Sequence, residues 1–401
     1  MENLSSEIVV VGGGPAGLTT AIALAGVGIE TALVASSSSR AENRTTALLA
    51  GSVKALETLG VWNNCRQHAA PLRMMRIIDD MGRLLRAREV RFDAREIGLD
   101  AFGHNIENQY LCAALEARAR MLPSLALIED EADEVLIGED KVTVKARGGG
   151  SIVARLAVAA DGRQSLCRSA ASIACDVRRY RQTALTFNLG HCRAHHDSAT
   201  EFHTQPGPFT LVPLVGLRSS LVFVVDPAEA PRLMTLSDED MAGEIERRSH
   251  SILGKINVEP GRGIFPLVAE TARTFGARRV VLVGEAAHVL PPIGAQGLNL
   301  GLRDAATIAE VVVAIRRQGS DVGSPELTDR YEHMRRADVM SRSIAVDLLN
   351  RSLLSDFLPL QAARGLGLFL MGRIGPLRRA AMREGVAPAA SQPRLMRGEA
   401  L

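Results

Sequence analysis

Charge of one sign is missing from this sequence: 47 lysines and arginines stand against 45 aspartates and glutamates, a net charge of +2, so nothing in the balance calls for nucleic acid as a partner. Aromatic side chains are few, at 3%, while the apolar fraction reaches 46%, the make-up of an ordinary globular protein rich in Ala, Val and Leu. Cysteines are few and unpaired. The five at positions 65, 112, 167, 175 and 192 form no C-x-x-C pair, which argues against a structural zinc and fits reduced thiols in the cytoplasm. No run reaches the roughly 18 continuous apolar residues of a membrane-spanning helix. The apolar stretch from Ile8 runs straight into three glycines, which is not the form of a secretory leader. At 401 residues the chain has room for two domains, or for one with large insertions.

The glycines that end the first apolar stretch carry the strongest local signal. A short β-branched strand, Glu7–Val11, meets Gly12-Gly13-Gly14-Pro15-Ala16-Gly17, then a helical run from Leu18 and a second strand ending near Val34. This is G-x-G-x-x-G inside a βαβ unit. Gly12 permits the tight turn, Gly14 lets the backbone reach a pyrophosphate, and Gly17 lets helix and strand pack closely, with the helix N-terminus facing the phosphates. An acidic residue should close the second strand and hold the adenosine ribose. Here the strand ends at Ala35, followed by Ser36–Ser39, so a serine hydroxyl or a loop amide must serve. A second dinucleotide fingerprint is also missing, so one nucleotide resides and any other visits.

Arg44 stands ahead of a helical run near 51–59, where a guanidinium can grip a phosphate or a polyol chain. Residues 74–90 alternate like strands and leave the nucleotide domain. Asn105–Ala119 reads as a helix carrying Gln109. Ala126–Ile137, Lys141–Ala146 and Ile152–Ala159 read as strands, the last ending in Ala160-Asp161-Gly162, a second nucleotide edge. Residues 176–270 change texture to strands with Gly-Pro turns, an inserted and largely antiparallel substrate sheet. Its histidines (191, 195, 196, 203) match no zinc spacing, so no metal is expected.

Near the C-terminal end, Arg279–Asp304 reads RVVLVGEAAHVLPPIGAQGLNLGLRD. A buried strand at 280–283 breaks at Gly284-Glu285, crosses a Pro- and Gly-rich loop and enters a helix near Gly297–Gly301, where freed amides suit something flat and polar. Amphipathic helices follow at 327–350 and 353–370. A basic tail from Gln361 is open to two readings, contact with an anionic membrane face or a solvated helix face, and the last dozen residues look disordered.

Taken together, GGGPAG, AADGRQS and GEAAHVLPPIGAQGLNLGLRD resemble the three signature stretches of the class A FAD-dependent monooxygenases. NRTTALLAGSVKALETLGVW and GPFTLVPL add a likeness to the ubiquinone-biosynthesis ring hydroxylases. The resemblance implies an α/β fold: a Rossmann-like FAD-binding domain in three parts (1–73, 104–175, 271–330), an inserted antiparallel substrate domain (74–103, 176–270) and C-terminal helices (331–401). It implies FAD, with NAD(P)H or a protein as reductant, and hydroxylation of a polyprenylated phenol by way of a flavin C4a-hydroperoxide formed with O2. Gly12, Gly13, Gly14, Pro15, Ala16 and Gly17 would hold the pyrophosphate, with Ala35 at the adenosine end. Arg44 and Gln109 would reach phosphate or ribityl groups, and Asp161 the nucleotide and the NAD(P)H side.

The family grips the ribityl chain with Gly-Asp at the end of the late strand, where this chain has Gly284-Glu285, a reach longer by about 1.5 Å. With Ala35, that leads to an expectation of weaker FAD binding. Pro291 and Pro292 would wall the flavin, and Gly294, Ala295, Gln296, Gly297, Leu298 and Asn299 would offer backbone amides to its reactive edge. No nucleophile–base pair is needed. His203 and Tyr180 are guesses for a base, and His288 is open to a structural or a catalytic role. The surroundings implied are the cytoplasm or the inner membrane face, with other quinone-biosynthesis proteins as complex partners. Two alternatives are carried: an epoxidase or isoprenoid reductase on the same scaffold, and a non-catalytic FAD-binding subunit.

Overall fold

A computed structural model describes residues 4–36, 44–82, 89–354, 365, 367, 369–386 and 392–401. Its centre is a sheet of five parallel strands in the order Val280–Leu282, Leu156–Ala159, Ile8–Val11, Thr31–Val34, Leu125–Ile128, with Gly276–Ala277 antiparallel at one edge. The inner strands are buried throughout, as continuous Val-, Ala- and Leu-rich runs must be when helices cover both faces of a sheet. The helix Pro15–Ala25 packs there against Gln296–Arg317 and Asn108–Ala119. All five parallel strands point their carboxyl ends to one side, so the loops after Val11, Val34, Ala159 and Leu282 meet there.

Several elements differ from the expectations. Ile152–Ala159 is two strands, not one. Ser151–Ala154 belongs to a four-stranded sheet with Ala132–Ile137 and Val142–Ala146, and Leu156–Ala159 to the central sheet. The break falls at exposed Arg155, whose N–H donates to the Glu7 carbonyl. Ala126–Ile137 divides likewise into Leu125–Ile128 and Ala132–Ile137. A strand, Thr45–Leu49, separates Arg44 from the helix Ala50–Thr58, because it pairs with Gly103–Glu107; that pairing also delays the next helix to Asn108–Ala119. Ser37–Ser39 and most of 353–370 lie outside the described residues.

The second large element is a nine-stranded sheet built mainly from Cys175–His191, Ser198–His203, Pro208–Leu214, Arg218–Val225 and Gly263–Ala272, with Met74–Asp79 and Val90–Asp93 added at one end. Alternation gives it two faces. Leu185, Phe187, Phe202, Leu211, Leu221 and Phe223 form a separate core with Met241 and Ile245 of the helix Asp238–Arg248. The other face meets the Gly103–Glu107 strand through polar groups. Asn105 Nδ2 donates to Pro213 O and Ser220 Oγ, and Arg218 bridges Glu107 and Glu259.

The chain end is ordered rather than loose. Arg394–Arg397 forms a helical turn against Ala50–Thr58, with Leu395 and Met396 buried in the main core. Two apolar residues on one turn bury enough surface to fix a segment that its Pro and Ala neighbours made look unstructured. Among the described residues, no helix is long and apolar enough to cross a membrane.

Candidate active site

The glycine loop after Val11 is shaped by close approaches. A Cβ on Gly12 would stand 2.1 Å from the Ala160 carbonyl oxygen, and one on Gly17 2.0 Å from the Gly12 oxygen; Gly12 also has φ +113°. A Cβ on Gly13 would fall 2.6 Å from the Ala35 Cβ, which places Ala35 beside the loop at the end of the second strand. Gly14 is different: nothing lies within 4 Å of its added Cβ. It is also the N-cap of Pro15–Ala25, and no side chain caps that helix. An uncapped helix N-terminus behind an open glycine is an anion site.

The late loop repeats the arrangement. Gly284 (φ +62°) and Gly301 both pack on the Ala16 methyl, each with its added Cβ 3.3 Å from it, so the two glycine segments touch. The loop then passes buried Pro291 and exposed Pro292. It turns through Gly294 (φ +66°) and Ala295 (φ +53°) and enters Gln296–Arg317, again with no side-chain cap and with open space at Gly297. Gln296 donates to the Gly294 carbonyl, while its Oε1 is buried without a partner. Leu298 is half-buried on the first turn. The Asn299 side chain does more than any backbone amide there. It accepts from Leu49 N and Ser52 Oγ and donates to Ala47 O and Ala295 O, all within 2.6–2.8 Å. Asn299 therefore pins the late loop to the Thr45–Thr58 strand and helix.

Asp161 completes a third loop. Its Oδ2 accepts from Cys167 N at 3.1 Å, and Oδ1 is buried and unpartnered. Arg168 donates to Arg163 O and Ala286 O, joining this loop to the Gly284–Ala286 turn. Arg44 and Gln109 also come together. Both are exposed, Arg44 O accepts from Asn108 N, and Gln109 follows on the first turn of its helix. Glu285 is exposed on the short turn after the late strand.

Behind that turn lies a buried ionic cluster that the sequence reading missed. Asp304 accepts from Gly284 N, His288 Nε2 (2.7 Å) and Arg335 Nε (2.6 Å). Arg335 also pairs with Asp338, which holds Arg303. Burial alone would push the Asp304 carboxyl up, but the charges of His288 and Arg335 and the hydrogen bonds at its oxygens hold it at about 2. Burial pulls the Arg303 guanidinium down to about 10. His288 is buried with this carboxylate on one nitrogen and no partner on the other. A signal for the cluster existed: Asp304 falls on the apolar stripe Leu300, Ile308, Val312, Ile315 of its helix, where a charge needs a partner.

The two guesses for a base lie on strands of the nine-stranded sheet. Tyr180 donates to Asp347 at 2.9 Å, and burial with that carboxylate pushes its hydroxyl up to about 12. His203 is buried with Nε2 2.9 Å from Glu201. Among the described residues, no group of three His, Cys, Asp or Glu is arranged to hold a metal ion.

Three strand ends, two uncapped helix N-termini, two open glycines and two unpartnered buried oxygens thus face one region, and this fits an FAD: anion sites for phosphates and acceptors for its polar edges. Comparison with known proteins agrees. The FAD binding domain family matches residues 5–343. Ubiquinone hydroxylase UbiL of Rhodospirillum rubrum is 33% identical over 98% of this chain and 93% of its own. The 3-demethoxyubiquinol 3-hydroxylase of Escherichia coli is 29% identical over 96% and 99%. In fold, p-nitrophenol 4-monooxygenase PnpA from Pseudomonas putida superposes with a TM-score of 0.80 at 21% identity, over 96% of this chain and 98% of that one. The chain therefore belongs to the class A FAD-dependent monooxygenases, in the group of the ubiquinone-biosynthesis ring hydroxylases.

Proposed function

We propose that this FAD-dependent monooxygenase hydroxylates the aromatic head group of a polyprenylated intermediate of ubiquinone biosynthesis, with NAD(P)H or a redox protein as the electron source. The meeting of the Gly12–Gly17, Ala160–Gly162 and Gly284–Asn299 loops at one edge of the parallel sheet carries the reading, together with near full-length likeness to relatives named ubiquinone hydroxylases. Reduced FAD supplies the activation of O2 for ring hydroxylation. The chain does the rest. The helix N-termini at Pro15 and Gln296 stabilise negative charge on phosphates and on the reacting edge. Pro291 and Pro292 set a rigid wall, Asp161 and Arg44 with Gln109 hold polar parts of the cofactor, and the inserted sheet walls off water. In this division residues 1–73, 104–175 and 271–330 bind FAD, and 74–103 with 176–270 receive the ring.

The membrane-facing part of the proposal rests on the helix Pro325–Leu354, which exposes Met340, Ile344 and Leu348 at four-residue spacing. Ile374 and Leu377 are exposed nearby in sequence, and arginines at 373, 379 and 383 accompany them. Such a surface suits an anionic bilayer that keeps the polyprenyl tail while the head group enters. Complex formation with other quinone-biosynthesis proteins would use the same face. The deciding experiment deletes the gene and weighs the accumulated quinone precursor by mass spectrometry. One missing ring oxygen, restored by the intact gene and not by a variant unable to bind FAD, is the expected result; an unchanged quinone profile overturns the proposal.

A further inference from the structure

A cleft of about 400 Å³ opens on the side of the nine-stranded sheet away from the FAD loops. The faces are fixed by register. Arg76 pairs with Thr200 and Thr200 with Leu211, and Leu211 belongs to the core under the Asp238–Arg248 helix. Ser219 lies on this face too, whereas its neighbour Ser220 bonds Asn105 on the other. The cleft is therefore separate from the site described above.

Its lining is of two kinds. Leu211, Ile252 and Leu253 are apolar, and Thr200 and Ser219, residues 2% and 1% exposed, add hydroxyls. Around them stand Arg76, Arg193 and two histidines, and no lining residue is acidic. Two carboxylates flank the lining: Glu89 pairs with Arg76 and with Arg91, and Asp197 pairs with Arg73 and has Oδ1 4.0 Å from His195 Nδ1. On an exposed loop, the Arg193 guanidinium donates to the Ser251 carbonyl and its backbone N–H to the Leu253 carbonyl. Behind Ser219, His191 holds its hydroxyl at 3.0 Å through Nε2; that ring is 8% exposed and its Nδ1 is buried without a partner.

We propose that this cleft binds a small organic anion: a carboxylate or phosphate monoester carrying one ring or a short apolar body. The volume lies in the range of small-ligand sites. Arg193 attracts and forks the anion, the buried hydroxyls complete its hydrogen bonds, and the Leu211–Ile252–Leu253 surface takes the body. Neither charge alone nor ring alone satisfies both halves of the lining.

Calorimetric titration of the FAD-loaded protein with phenyl phosphate and with benzoate tests this, against inorganic phosphate (charge without ring) and benzyl alcohol (ring without charge). One equivalent of phenyl phosphate or benzoate should bind saturably, about tenfold or more tighter than either control, and the better of the two names the anion. Arg193→Glu should weaken that binding at least about tenfold with flavin absorbance and melting temperature unchanged. Ile252→Asp, on the apolar side, gives the same reading independently should the first variant fail to fold. The proposal is overturned if neither compound saturates below about 10 mM, if inorganic phosphate binds as well, or if both folded variants bind like the parent.

Discussion

At position 285 the carboxylate stands one methylene further out than the aspartate that the family resemblance implies there. Glu285 is exposed on the turn that follows the late strand, while Ala35 offers only a methyl beside Gly13. Glu285→Asp shortens the reach and should tighten FAD binding about tenfold, the worth of one charged hydrogen bond, measured by quenching of FAD fluorescence; an unchanged dissociation constant would detach Glu285 from the cofactor. Asn299 was legible as a loop residue only. Its partners at 47, 49 and 52 lie some 250 positions away in sequence, so no local pattern marks the amide as a clamp. Asn299→Ala strands the Leu49 amide and the Ala47 carbonyl and should cost about 2–4 kcal/mol in urea unfolding. A loss under about 0.5 kcal/mol would mean that water replaces the clamp without penalty.

Elements that announce themselves by period and punctuation were the readable ones. The strand–glycine–helix unit at Ile8–Ala25 and the Gly284–Gly301 segment follow from β-branched runs stopped by glycine. The breaks at Arg155 and between Ile128 and Ala132 were not readable, since whether an apolar run stays in one sheet depends on which neighbours it finds. The Gln296–Arg317 helix carries its own pH signature. The Asp304 carboxyl is held at about 2, below its ordinary 3.8. A depressed folded value means the stabilisation is complete above about pH 4 and disappears as pH falls towards about 2. Parent stability should therefore fall through that window, and Asp304→Asn, less stable at pH 7, should lose less of what it has there. Parallel pH curves from calorimetry would remove Asp304 from the acid response.

For the whole molecule, the polar seam between the Gly103–Glu107 strand and the nine-stranded sheet contrasts with the apolar cores on either side. Charge-assisted bonds to Glu259 and Glu107 hold the Arg218 guanidinium more firmly protonated than usual. The outer surface yields a test of its own. Ile344→Asp with Leu348→Asp should abolish sedimentation with anionic phospholipid vesicles and leave FAD content unchanged, since both side chains are more than half exposed. Equal sedimentation of parent and variant would place membrane contact elsewhere.

The parallel sheet also fixes when the site can exist. Ile8–Val11 and its glycine loop leave the ribosome early, yet Val280–Leu282 and the Asn299 clamp follow about 270 residues later, on the order of 15–50 s at roughly 5–20 residues per second. Until then the nascent chain has its first glycine loop but not the late loop that meets it at Ala16. Cofactor capture is thus an event of late translation, and a chain interrupted before Asn299 leaves the ribosome as a flavin-free fragment.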